Sequence, residues 1–179
     1  TTGAFTYEAI VKLGFDPTVA QASTTAMSII SGDGESTERL LNFRLIPIGH
    51  ADNTSGGTVT QLEFLKIGGG VEHHRVNLPG LGDPDQALQG SWYHVAVAYD
   101  GNENTAGNLK LYWTLMDPSR TEANEVLSSQ MLADLPAGVQ PDFCIGNEGR
   151  SFAGDNASNE TFLGVIDEVR ISSIARSST

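Results

Sequence analysis

Two groups of residues in this chain have the types and spacing to do chemistry. The first is Asp167, a carboxylate among apolar neighbours in FLGVIDEVRI (Phe162 to Ile171), which the pattern predicts to be the last strand. Side chains of a strand alternate between its faces, so Val165, Val169 and Ile171 fall in phase with Asp167, and Ile166, Glu168 and Arg170 share the other face. Either face then carries an acid. Burying a carboxylate is costly unless it is paired, hydrogen-bonded or metal-bound, so this strand is expected to hold a polar anchor, a bulge or a cation ligand. The second group suits sugar recognition, in which the apolar face of a pyranose stacks on an aromatic ring while its hydroxyls bond amides and acids. Tyr112 and Trp113 are adjacent on a predicted strand and must face opposite sides, one filling the core and the other free to meet a ligand. The loop from Asn147 to Glu160, with Arg150, Asp155 and Asn156, offers the polar groups of a rim.

Other constellations lack a working arrangement. His50, His73, His74 and His94 have no motif partner, and the His73–His74 pair points to opposite faces of a strand and cannot chelate one ion. There is no G-x-S-x-G elbow for serine hydrolysis. Asp100-x-Asn102-x-Asn104 opens like a calcium loop, but Thr105 stands where glycine is needed and Leu111 where glutamate is needed, so it reads as a hairpin turn. The single cysteine, Cys144, flanked by Phe143 and Ile145, rules out an intrachain disulfide and reads as a buried apolar thiol.

The elements that must position these residues are short strands. Period-2 or β-rich runs occupy Phe5 to Val11, Ala26 to Ile30, Leu40 to Ile48, Val59 to Ile67, Val71 to Leu78, Trp92 to Tyr99, Leu109 to Leu115, Phe143 to Gly146 and Leu163 to Ile171. Turn residues such as Ser31-Gly32-Asp33-Gly34 and Gly68 to Gly70 separate them. Residues 117–135 are the least strand-like and read as a short helix or an extended loop. About nine to twelve strands without helical periodicity predict an all-β sandwich or barrel in one domain of 179 residues. With 22 acidic against 10 basic residues the net charge is −12, which disfavours nucleic acid and anionic membranes as partners and suits divalent cations. No apolar run is long enough to span a bilayer, and a first residue other than methionine suggests a piece excised or processed from a longer protein.

The segments FTYEAIVKL from Phe5, SIISGDG from Ser28, WYHVAVAYDG from Trp92, LKLYW from Leu109, CIGNEG from Cys144 and FLGVIDEVRISSIARS from Phe162 resemble, in order and spacing, the bacterial laminin G-like domains of the concanavalin A-like lectin and glucanase superfamily. The resemblance covers nearly the whole chain. It implies a two-sheet antiparallel jelly roll (residues 1–179), a structural role for His94, and a structural calcium ion with Asp167 at the ligand position. It also implies a secreted or surface setting and a noncatalytic module that binds carbohydrate or, alternatively, another extracellular protein. Related glucanases carry E-x-D-x-x-E on one strand, and no E-x-D occurs here; a hydrolase would need acids that meet only in space. After LKLYW, the stretch TLMDPSRTEANE replaces the tight aspartate-glycine hairpin of the relatives, an insertion expected to decorate that edge.

Overall fold

The computed structural model describes residues 3–22, 25–34, 38–149 and 160–178. Ten strands run in chain order as β1 (Phe5–Leu13), β2 (Met27–Asp33), β3 (Arg39–Ile46), β4 (Gln61–Lys66), β5 (Glu72–Asn77), β6 (Trp92–Tyr99), β7 (Leu109–Leu115), β8 (Glu125–Ser129), β9 (Phe143–Ile145) and β10 (Gly164–Ser172). They form two five-stranded antiparallel sheets, β10-β1-β6-β7-β8 and β5-β4-β3-β2-β9, and no helix occurs among the described residues. This is the all-β, two-sheet class that the sequence predicts. The chain divides into two compact units, one drawn from residues 1–14, 78–134 and 164–179 and the other from 15–77 and 135–163, with one sheet in each.

In the first unit, alternation sorts the central strands into two faces. Phe5, Ala9, Val11 and Leu13 of β1, Tyr93, Val95, Val97 and Tyr99 of β6, and Leu109, Leu111 and Trp113 of β7 form the buried apolar face. Tyr93 and Trp113 stack with ring centroids 4.5 Å apart. Their polar atoms stay satisfied: the Trp113 indole N–H donates to the Asp85 carbonyl at 3.2 Å, and the Tyr93 hydroxyl donates to the Gln86 carbonyl at 2.6 Å. The Asp85 carboxylate accepts from the Leu115 N–H at 2.8 Å and pairs with Arg120, which pins the segment before β6 to the end of β7.

The second unit is a meander, β2 to β5, with β9 added at the free side of β2. Leu41, Phe43 and Leu45 of β3 and Leu62 and Phe64 of β4 are buried on one face, and Asn42, Arg44, Gln61 and Glu63 lie in the alternate positions. Gly69 and Gly70, with φ of 72° and 119°, turn β4 into β5. Beside them Gly68 sits so close to Pro136 that an added Cβ would lie 2.8 Å from its ring.

Two expectations need correcting, and one is narrowed. Residues 117–135 contain β8, a strand paired with β7, where the sequence suggested a helix or loop. The register between β7 and β8 slips by one residue between Leu111 and Tyr112, and this slip admits the irregular sequence to the sheet. Cys144 is half-buried, because β9 is a three-residue edge strand whose Phe143 and Ile145 are exposed. Of the alternatives expected for β10, the structure has the bulge: the pairing to β1 shifts between Glu8 and Ile10, and Glu168 takes a positive φ of 48°. This bulge leaves both Asp167 and Glu168 exposed, so neither acid needs a buried partner.

Two stability differences follow. Trp113→Ala should lower the unfolding free energy by about 3 to 5 kcal/mol in urea denaturation, because it removes the largest side chain of a closely packed face. Asp167→Ala should change it by less than about 0.5 kcal/mol; a loss above about 1 kcal/mol would mean that the carboxylate is an anchor after all.

Candidate functional site

The face of the first sheet opposite its core carries the arrangement best suited to holding a ligand. Across β1, β6 and β7 the register sets Glu8 beside Ala96 and Ala96 beside Tyr112, with Thr6, Ala98 and Lys110 in the next row. Ala96, Ala98 and Tyr112 form a small apolar island completed by Ala123. Tyr112 is itself only 5 % exposed, so a small part of it reaches the surface. The chain after β10 crosses this face: the Thr6 hydroxyl donates to the Ile174 carbonyl at 2.8 Å and accepts from the Arg176 N–H at 3.0 Å, and the Ala123 N–H donates to the Ser178 carbonyl at 2.9 Å. Between this strap and the β6–β7 hairpin lies a cleft of about 310 Å³, floored by Ala98, Lys110 and Tyr112 and walled by Asp100, Asn108 and Arg176.

The charges around the cleft are partly engaged. Lys110 pairs with Glu125 at 2.8 Å, a bond that with the nearby carboxylate raises the lysine pKa. Glu8 takes His94 Nε2 at 3.1 Å on one oxygen and Arg170 at 3.1 Å on the other, with Arg176 Nε 3.6 Å away. His94 is therefore a hydrogen-bonding histidine, as expected. Burial raises the Tyr112 pKa, so its hydroxyl remains a neutral donor and acceptor at ordinary pH. Arg176, with 42 % of its side chain exposed, and the serines Ser177 and Ser178 can turn toward a guest.

A second polar constellation occupies the second unit. Arg44 is buried and distributes its three nitrogens among three acids: Nε to Glu63 at 2.9 Å, Nη1 to Glu160 at 3.1 Å and Nη2 to Asp52 at 3.1 Å. Glu63, fully buried, also binds Arg75 Nε and His73 Nδ1, both at 2.8 Å. Arg75 reaches on to the Asp52 carbonyl. Glu160 accepts from Ser28 at 3.1 Å and from Asn42 at 2.8 Å. Burial opposes the charge on Arg44, and the attraction of Glu160, Glu63 and Asp52 overcomes it, raising its pKa. Acids distant in sequence do meet here, but with a guanidinium between them. They are ion-pair partners and do not form an open acid–base pair across a substrate.

The sequence-derived candidates fall in different places. Tyr112 lines the cleft. Trp113 is a correction: alternation turns it into the core, where it is fully buried and cannot serve as an exposed platform. Asn147 is half-buried and belongs to a turn, its carbonyl accepting from the Ser31 hydroxyl at 2.8 Å and its side chain from the Glu148 N–H at 2.9 Å. Arg150, Asp155 and Asn156 lie outside the described residues. Asp167 is exposed, and its carboxylate accepts from the N–H of Glu168 at 2.8 Å. It stands three strands from Tyr112, roughly 14 Å across the sheet. Among the described residues there is no group of three or more His, Cys, Asp or Glu side chains that could hold a metal ion. Asp100 accepts from the Asn102 N–H at 2.8 Å within the hairpin turn expected there.

Sequence reasoning missed Arg44, Glu63, Asp52, Arg75, Glu8 and Arg176. The one signal available was Arg44 and Glu63 at alternate positions of apolar runs, which reads equally well as a solvated face.

Comparison with known proteins agrees with this architecture. The model of the concanavalin A-like lectin/glucanases superfamily matches residues 1–179, and the chain belongs to that superfamily. Among solved structures, a Bacteroides ovatus protein assigned provisionally to carbohydrate binding is similar over 99 % of this chain and 39 % of its own, with 24 % identity and a TM-score of 0.58. Tailspike protein 2 of the Escherichia coli O157:H7 bacteriophage CAB120 is similar over 98 % of this chain and 20 % of its own, with 14 % identity and a TM-score of 0.55. The chain thus spans about two-fifths and one-fifth of these larger molecules. No curated protein matches it.

Two histidines of the second unit, half-buried His50 and buried His74, set a pH response. Burial, then Arg44, lowers the pKa of His50, whose Nδ1 accepts from the Asp52 N–H at 2.9 Å; burial also lowers that of His74. Both are depressed below the ordinary 6.5, so the unfolded chain binds more protons just below that value. Their stabilisation is complete above pH 6.5 and is lost as pH falls toward the folded values. Urea midpoints should therefore drop between about pH 7.5 and about pH 5.5, with a shallower drop in the His50→Gln/His74→Gln double variant.

Proposed function

We propose that this domain is a noncatalytic carbohydrate-binding module of a secreted or surface protein, and that it takes its sugar in the Tyr112 cleft. The observation that carries this reading is the Ala96–Ala98–Tyr112 island bordered by Asp100, Lys110 and Arg176. With Tyr112 only 5 % exposed, the charged and hydroxyl rim, of both hydrogen-bonding senses, would carry most of the recognition, and stacking would be confined to the exposed part of the apolar floor. A volume near 310 Å³ is at the small end for ligand sites and fits a short saccharide end or branch better than a long bound chain. Superfamily membership and the provisional name of the Bacteroides ovatus neighbour support the class of ligand.

The absence of catalysis is part of the proposal. Glu63, Glu160 and Asp52 are committed to Arg44, and Glu8 to His94 and Arg170, so none of these acids stands free to protonate a glycosidic oxygen.

A glycan array followed by calorimetry on the best hit tests the reading. Tyr112→Ala should weaken binding by about tenfold or more, and Asp167→Ala should leave it within about twofold. Polysaccharides incubated with the domain should release no reducing sugar. Undiminished binding by Tyr112→Ala would remove the cleft from consideration, and sugar release would remove the noncatalytic assignment.

A further inference from the structure

The strand β10 presents an edge that matches itself. Among the described residues it pairs with β1 on one side only. Three of its neighbouring or own apolar side chains, Val165, Ile171 and Ile174, are 50 %, 51 % and 58 % exposed. The bulge decides which residues share a face. Val165, Asp167, Arg170 and Ser172 pair with Lys12, Ile10, Glu8 and Thr6, all on the outer face, while Ile166 and Ile171 pair with Val11 and Tyr7 on the core face. In a regular strand Asp167 and Arg170, three residues apart, would point to opposite sides; the extra residue brings them to the same side.

We propose that β10 docks on β10 of a second copy of this chain, antiparallel about a two-fold axis perpendicular to the sheet. With Asp167 set opposite Arg170 of the copy, the axis passes between Glu168 and Val169, and every pair keeps its face: Asp167 with Arg170, Val165 with Ser172 and Ile166 with Ile171, each occurring twice. The ladder is consistent too. Val165, Asp167, Arg170 and Ser172 pair with alternate residues of β1, so their backbone groups share one orientation and meet equivalent groups across the axis. Opposite charges face each other twice, and Glu168 meets Val169 instead of its own copy. An isologous interface needs this self-complementarity.

Each partner contributes a single nine-residue strand, so the contact is small and the dimer weak. Its consequence rests on the proposed function. The axis keeps both outer faces on one side, so two Tyr112 clefts open in the same direction about seven strand spacings, roughly 34 Å, apart. A multivalent glycan surface would then be held by both clefts at once.

Sedimentation equilibrium of the chain from about 1 to about 500 µM tests the pairing without any sugar. A reversible dimer is expected, weakened about tenfold by Asp167→Arg and by Arg170→Asp separately, since each creates two like-charge contacts. Mixing the two variants should restore association, because the heterodimer regains both opposite-charge pairs. Asp167→Arg alters a side chain whose hydrogen bond is to the adjacent N–H, whereas Arg170→Asp also removes the 3.1 Å pair with Glu8, so circular dichroism verifies that both variants fold and the mixing experiment separates the two effects. A monomer throughout the range, or a dimer indifferent to either reversal, overturns the proposal. Loss of sugar binding with dimerisation intact would count against the cleft alone.

Discussion

The Glu63 carboxylate, fully buried in the second sheet, imposes the strongest single requirement on this molecule. A charge in that position is tolerable only with matching charge and hydrogen bonds around it, and Arg44, Arg75 and His73 supply them. Arg44 then becomes the buried charge that needs partners, and it draws in Asp52 from the turn after β3 and Glu160 from the approach to β10. Segments widely separated in sequence are thereby fixed to one guanidinium, whose planar fork can serve several acceptors at once. A hydrophobic replacement of the whole cluster would cost no desolvation, so its contribution lies in specifying which loops meet, with little net energy.

The same constraint separates structure from recognition. Acids enlisted to neutralise a guanidinium are poor proton donors to a substrate, and the second unit holds most of the described buried ionic groups. The first unit has a different outer face. There, short alanines next to Tyr112, a crossing strap and a hairpin with Asp100 leave room beside groups that are only partly engaged. Buried ionic order in one unit and an open polar rim in the other are alternative uses of the same residue types.

Most of the strand order was legible because alternation and turn residues act locally. Trp92–Tyr99 and Leu109–Leu115 coincide with β6 and β7, since β-branched and aromatic residues fill both runs and Asp100 and Asn108 end them. Opposite facing of Tyr112 and Trp113 followed from the period alone, although which ring took the core depended on neighbours the sequence does not reveal. The strand β8 was hidden, because Glu125-Val126-Leu127-Ser128-Ser129 has a weak pattern that only pairing with β7 stabilises. Asp167 misled for a related reason: one added residue in β10 reverses the assignment of faces, and a single acid among apolar residues looks the same with or without it. The Arg44 cluster could not be read, since its partners lie 8, 19 and 116 residues away and nothing local distinguishes them.

The burial of Trp113 has an optical consequence. The chain has only one other tryptophan, Trp92, which is half-buried with the Lys12 ammonium 5.8 Å from its ring centre. Two indoles in such unlike surroundings emit at different wavelengths, the enclosed one toward the blue and the wetter one toward the red. Intrinsic fluorescence therefore reports the interior and the periphery of the first unit as separate signals, without any attached label.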